Sequence, residues 1–353
     1  MIDTIAFPVT RTSQSGISKV DFDNLKFGAA FADHMFVVDY KNGAWGQGEI
    51  IPYGPWSFEP SMASLHYGQA IFEGLKAYKT EEGNAQIFRP SANFERFNQS
   101  ALRMSMPAIP EEIFMGGLAQ LIQLDKQWVP AKAGSSLYIR PFMVSTDEFL
   151  GVRIAETYRF AIICSPVGQY YNEPLRVKVE KTFSRVADGG SGNAKAAGNY
   201  AAAMYPTKLA QDQGFHQILW TDAATHSFIE ESGTMNVMFL IDDTLVTPSI
   251  GSTILKGVTR DSVLTLARDR GLKVEERKVS VDEIIQALKE GRLKEAFGAG
   301  TAATIAPIAL IHCDGTDYQL PNEGRPFATS ILKELNNIRY GSAPDRFGWM
   351  LKL

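Results

Sequence analysis

Little in the sequence directs it to nucleic acid, membrane or metal. Its 35 basic residues are outnumbered by 39 acidic ones, giving a formal charge of −4, whereas a dedicated nucleic-acid binder usually carries a basic excess. No apolar run approaches the roughly 18 residues of a membrane span. The first residues, MIDTIAFPVTRTSQSG, lack the basic start and apolar stretch of a signal peptide, so a cytoplasmic protein is expected. The two cysteines, Cys164 and Cys313, lie far apart and outside any C-x-x-C pair. Buried free thiols in a reducing compartment are expected. The five histidines show no metal-ligand spacing; His34 and His66 are isolated and H-x-x-x-H is absent, so no metal site is expected.

Two phosphate-binding signatures are missing as well. A P-loop needs Ser or Thr directly after its lysine, but Lys195 is followed by Ala196. A dinucleotide fingerprint needs three glycines at fixed spacing after a strand, and Gly190-Ser191-Gly192 has no third in place.

What is there begins with Gly189–Tyr200, GGSGNAKAAGNY. It sets Lys195 between Gly192 and Gly198 among alanines, where a planar ligand can approach closely. A partly desolvated lysine can serve as an amine nucleophile. A solvated lysine in a glycine-rich loop fits the same residues.

The chain's 353 residues suffice for roughly two domains, and 45% hydrophobic content allows a substantial core. Residues 1–166 read as a small α/β domain, 167–177 as a linker around SPVGQYYNEP, and 178–353 as a larger second domain. Strands are expected at His34–Tyr40, Gln86–Phe88, Leu137–Val144, Tyr158–Cys164 and Leu175–Lys181. Further strands are expected near 215–220, 234–241 and 294–298. Gly43–Gly48 reads as a hairpin turn, and Leu65–Tyr78 as a short helix running into a strand. Helices are expected over 92–105, capped by Ser91, over 111–129, and near 200–213, 259–270, 281–290 and 325–339. Strands and helices do not alternate strictly, so mixed α/β sheets fit better than a doubly wound one.

Tyr138 and Arg140 share one side of their strand, because strand side chains alternate. Arg96 lies off the Phe94, Phe97, Ala101 and Met104 stripe of its helix, and is either an exposed arginine or an anion ligand. Thr259 sits where a helix begins, and exposed amides there make a phosphate site. GAGTAAT, Gly298–Thr304, is a second small-residue turn, and Ile229–Glu231 precedes Ser232-Gly233-Thr234 and a strand. Together these supply an amine, a phosphate cradle and a carboxylate, which is what pyridoxal phosphate requires.

Eight segments in order then carry a family resemblance: HYGQAIFEGLKAY, FRPSANFERF, YIRP, SPVGQYY, GNAKAAGNY, IEESGTMNVMF, LKGVTRDS and GAGTAAT, followed by a C-terminal FGWM. The chain resembles the branched-chain amino acid aminotransferases, fold-type IV pyridoxal phosphate enzymes, over nearly all its length. The resemblance implies a two-domain architecture with the cofactor at the domain interface. It implies that Lys195 holds the cofactor and moves the substrate proton, that Glu231 faces the pyridine nitrogen and that Tyr200 bonds the phenolic oxygen. Arg96, Gly257, Val258, Thr259 and Thr301 fall in the phosphate set. On the substrate side, Thr301 and Ala302 match the α-carboxylate turn. Tyr67, Phe72, Tyr138 and Tyr170 match an apolar cage, and Arg140 the arginine for the γ-carboxylate of glutamate. Leu150 and Val152 resemble a loop given by the partner subunit, implying a homodimer.

The implied reaction moves the amino group of L-leucine, L-isoleucine or L-valine to 2-oxoglutarate. Animal members carry two cysteines where this chain has Ala303 and Ala306, so a thiol switch of that kind is not expected. A D-amino acid aminotransferase or aminodeoxychorismate lyase shares the cofactor chemistry, but both are usually shorter, and YIRPF lacks the histidines of the D-specific site. A catalytically silent protein on the same fold is the alternative outside enzymes.

Overall fold

The computed structural model describes residues 6–171, 173–321 and 325–353. They form two compact units. The first takes the chain up to Tyr170 together with Ala194–Ala197 and Asn336–Leu353, and the second takes Tyr171–Asn193 and Gly198–Leu335. Two stretches expected in the second domain therefore fold with the first. Met350–Lys352 pairs with strand Ala85–Phe88, and Ala196 bridges to Ile71. Backbone pairing, not position along the chain, assigns them.

The first unit holds a nine-stranded sheet, whose strand pairings are antiparallel throughout. Its centre is Ser136–Ser145 beside Tyr158–Val167. The second of these strands draws Ser165-Pro166-Val167, read as linker, into the sheet opposite Ser136–Tyr138. The hairpin turn lies at Asn42-Gly43, both at positive φ, which joins His34–Lys41 to Ala44–Trp45 with the twist that two-residue hairpins need. The stretch 65–78 resolves into helix Ala63–Tyr67 and strands Ala70–Phe72 and Leu75–Lys79.

Helix Pro90–Arg103 begins earlier than Ser91 capping implied. Arg89 occupies the cap position at φ 50°, and Pro90 is the first helical residue, where its fixed φ suits the helix and its missing N–H is no loss. Phe97 and Ala101 are fully buried. The Phe97 ring meets Phe160 edge-on at 5.4 Å and Phe114 at 5.7 Å. That contact seats the helix on the sheet and fixes where Arg96 points. The next helix stops at Leu124 rather than at 129.

The second unit holds a ten-stranded sheet with both parallel and antiparallel pairings. Strand Phe228–Ser232 pairs on both sides, with Gln217–Thr221 and with Met235–Ile241. The latter continues through Leu293–Gly300, Thr304–Cys313 and Leu175–Val179 back to Gln217–Thr221, so six strands close on themselves. Val177, Leu219, Val237, Phe239 and Ile308 belong to the core of this unit. Helices Ala197–Asp212, Val258–Asp269, Val281–Lys289 and Pro326–Tyr340 follow the expected positions to within three residues. No helix among the described residues is long and apolar enough to cross a membrane.

Candidate active site

Lys195 is half-buried and held by its backbone. Its N–H donates to Ser100 Oγ at 2.9 Å, and its carbonyl accepts from Phe72 N–H at 3.0 Å. Its Nζ lies 4.8 Å from the Phe72 ring centre. Of the two flanking glycines only Gly192 is sterically required: a Cβ there would meet the Thr253 backbone at 2.7 Å, whereas Gly198 faces open space. Ser191 and Asn199 tie the loop, Oγ donating to Oδ1 and Nδ2 to the Ser191 carbonyl, each at 2.7 Å.

Arg96 is buried rather than exposed. Its Nε donates to Glu73 Oε1 at 2.6 Å and its Nη2 to Glu73 Oε2 at 2.8 Å, the fork geometry that makes Arg–carboxylate pairs strong. Burial opposes ionisation of Glu73. The Arg96 charge and hydrogen bonds, the Lys195 charge and the Asn93 amide outweigh it and hold the carboxyl below its ordinary value. In the sequence only the place of Glu73 inside FEGLKAY marks it.

On strand Ser136–Ser145, Arg140 Nη2 donates to the Tyr138 hydroxyl at 3.0 Å, and the guanidinium lies 4.6 Å from the Phe72 ring centre. Phe27 packs edge-on against Tyr138 at 4.8 Å and Tyr170 at 5.3 Å. Burial, then Tyr138, pushes the Tyr170 hydroxyl up. The structure thus brings Phe72, Tyr138, Arg140 and Tyr170 together and adds Phe27, a loop residue that no periodicity marks. Gly74 makes room, since a Cβ there would lie 2.1 Å from the Tyr138 hydroxyl oxygen. Tyr67 is placed elsewhere: its hydroxyl donates to the Leu150 carbonyl, which ties it to the exposed loop carrying Leu150 and Val152.

In the second unit Glu231 is buried on Phe228–Ser232. Its Oε1 accepts from Leu255 N–H at 3.0 Å and Asn236 Nδ2 at 3.1 Å. Arg185 Nε lies 3.3 Å from its Oε2, a charge contact without the alignment of a hydrogen bond. Neither Arg185, an arginine in an irregular stretch, nor Asn236, an asparagine in a strand, carries a local sequence signal. Gly257 caps helix Val258–Asp269, which has no side-chain cap, and a Cβ on it would overlap Asn236 Oδ1 at 1.9 Å. Thr259 is buried in the first turn. Thr301 and Ala302 occupy the turn between Leu293–Gly300 and Thr304–Cys313, closed by Thr304 at φ 62°. Tyr200 is half-buried in the first turn of Ala197–Asp212.

These groups suit pyridoxal phosphate. A helix start without a side-chain cap is ready for an anion. Glu231 keeps a buried carboxylate held by Asn236, Leu255 and Arg185, the charge that a cationic ring nitrogen needs. Lys195 offers an amine whose backbone is pinned on both sides. Lys195 and Arg96 lie in the first unit, and Tyr200, Glu231, Val258, Thr259 and Thr301 in the second.

The family model for amino-transferase class IV matches residues 70–311, from the strand before Glu73 to the strand after the Thr301 turn. Branched-chain-amino-acid aminotransferase 2 of Bacillus subtilis (strain 168) is 46% identical over 351 residues, covering 98% of this chain and 96% of that one. The solved branched-chain amino acid aminotransferase of Escherichia coli is 26% identical with a TM-score of 0.73, covering 90% of this chain and 98% of the other. The solved T.th. branched-chain amino acid aminotransferase, complexed with N-(5'-phosphopyridoxyl)-L-glutamate, is 25% identical with a TM-score of 0.69, covering 89% and 97%. The chain belongs to the class IV aminotransferases, in the branched-chain amino acid aminotransferase group. Pyridoxal 5'-phosphate is the cofactor of that family.

Proposed function

We propose that this protein transfers the amino group of L-leucine, L-isoleucine or L-valine to 2-oxoglutarate, in two half-reactions at one site. The observation that carries this reading is the arginine inside an aromatic cage. Arg140 is stacked on Phe72 and bonded to Tyr138, so one pocket offers apolar walls to a branched side chain and a cation to a γ-carboxylate. The Arg140 Nε is buried with no hydrogen-bond partner among the described residues, a donor that a dicarboxylate can satisfy.

The bound cofactor supplies an electron sink for the substrate Cα. Lys195 Nζ anchors it and then takes the proton from that Cα. Glu231 holds the ring nitrogen protonated, and Tyr200 bonds the phenolic oxygen. Arg96, the first-turn amides of Val258 and Thr259, and Thr301 receive the phosphate, while Gly257 lets the helix start pass close to Asn236. Thr301 and Ala302 present amides to the α-carboxylate. Leu150 and Val152 complete the apolar wall of a second subunit's site, and Tyr67 travels with them because its hydroxyl is bonded to Leu150. The chain then works as a homodimer. Two buried free cysteines accord with a cytoplasmic protein.

The test is borohydride trapping with peptide mapping, followed by single half-reactions. The tag is expected on Lys195, with cofactor conversion by leucine, isoleucine, valine and glutamate. A tag on another lysine, or conversion by D-amino acids alone, refutes the reading.

A further inference from the structure

Glu73 is fully buried and paired with Arg96, and the reaction proposed above assigns it no task. Four donors converge on its carboxylate. Oε1 accepts from Arg96 Nε at 2.6 Å, and Oε2 from Arg96 Nη2 at 2.8 Å, Asn93 Nδ2 at 2.7 Å and Gly74 N–H at 3.0 Å. Its own N–H donates to the Pro141 carbonyl at 2.7 Å, while the preceding N–H, of Phe72, holds the Lys195 carbonyl.

One turn beyond Arg96 on the same helix, Ser100 donates to the Arg96 carbonyl at 3.0 Å and accepts from Lys195 N–H at 2.9 Å. One carboxylate and one hydroxyl therefore tie together the arginine helix, the strand edge and the lysine segment. Two cations, Arg96 and Lys195, act on this one anion.

We propose that Glu73 is a positioning residue of the transamination site, which orients the Arg96 guanidinium for the cofactor's anion and supplies the fixed negative charge beside the Lys195 nitrogen. The inference rests on Lys195 being the cofactor lysine. It is distinct from a purely structural role, in which Glu73 only neutralises a buried arginine. A structural role predicts a less stable protein with unaltered cofactor properties. A charge role predicts that the bound cofactor reports the missing anion.

The experiment uses the full-length holoenzyme and the Glu73→Gln, Glu73→Asp and Ser100→Ala variants. Three quantities are read: affinity for pyridoxal phosphate, the pH midpoint of the cofactor's visible band, and the melting temperature. Glu73→Gln keeps the shape and loses the charge. Its cofactor affinity falls about tenfold or more, as when groups supporting a ligand shell are lost. Its band midpoint moves down by about one pH unit, the scale of one near opposite charge. Glu73→Asp, which keeps the charge, recovers most of the midpoint. A Glu73→Gln holoenzyme with a lower melting temperature but the wild-type midpoint and affinity overturns the proposal.

If Glu73→Gln does not fold, Ser100→Ala decides. With the hydroxyl gone and the carboxylate in place the midpoint stays at the wild-type value, whereas a fall of a full unit puts the effect on backbone placement and overturns the charge role. Absence of trapping at Lys195 in the wild type refutes the functional reading itself, before any variant is compared.

Discussion

On the proposed reading, Arg140 is one side chain that serves two substrates. Its guanidinium is satisfied on one edge by Tyr138 and covered by Phe72. Under the proposal a leucine side chain would then meet rings instead of a bare charge, and a γ-carboxylate would meet the remaining donors. Arg140→Met keeps the stem and removes the donors. The expected outcome is a KM for 2-oxoglutarate raised about tenfold or more, from loss of a charged hydrogen bond of roughly 1.5–3 kcal/mol, with the leucine half-reaction changed much less. Single-turnover measurements of both half-reactions check this, and equal losses in the two refute it. The pattern of alternation along YIRP placed Tyr138 and Arg140 on one face correctly. It could not reveal Phe27, whose loop has no period, or that Tyr67 bonds to Leu150 and not to the cage.

At the scale of the element, helix Pro90–Arg103 does the positioning. Phe97 and Ala101 anchor it in the core of the first unit, and Arg96 and Ser100, one turn apart, carry the bonds to Glu73 and Lys195. Phe97→Ala removes the ring packed against Phe114 and Phe160. Such a truncation costs about 3–5 kcal/mol. Thermal denaturation is expected to show a fall of that size, and because the helix loses its seat, cofactor affinity should fall with it. A normal melting temperature would contradict the packing argument.

At the scale of the molecule two expectations follow. The loop with Leu150 and Val152 is exposed, Val152 by 86%, and neighbouring apolar side chains left in water mark a surface that another chain can cover. If a partner's site uses that loop, Lys195→Ala and a Leu150→Ser/Val152→Ser double variant are each impaired alone. Mixed, unfolded and refolded together, they should regain activity, since a hybrid pair contains one intact site. No recovery from verified hybrids would put the loop outside the site.

The second expectation concerns pH. Lys76 is buried, and its amine is pushed down to about 7, first by burial and then by Arg339. In the unfolded chain it titrates near 10.5. Between these values the unfolded state holds one more proton, so stability rises with pH across this window, and the opposition to folding is complete below about 7. The scale is about 1.4 kcal/mol for each unit of difference. Lys76→Met should flatten the rise in melting temperature between about pH 7.5 and 9.5, and an unchanged slope would disprove the linkage.

Local chemistry along the chain was enough to mark the small-residue loop around Lys195, the helix start at Val258 and the turn at Thr301, because each is a short-range requirement of the backbone, while the roles of Lys195 and Glu231 came from the family resemblance. The positions of the strands His34–Lys41 and Ser136–Ser145 followed from alternation in the same way. Tertiary structure alone decided which side chains answer one another. Glu73 meets Arg96 across 23 residues and Arg185 meets Glu231 across 46, and the six-strand closure joins Phe228–Ser232 to neighbours on both sides. Such pairings depend on how sheets and helices stack, and a buried charge finds its counter-ion only after the chain has closed around both.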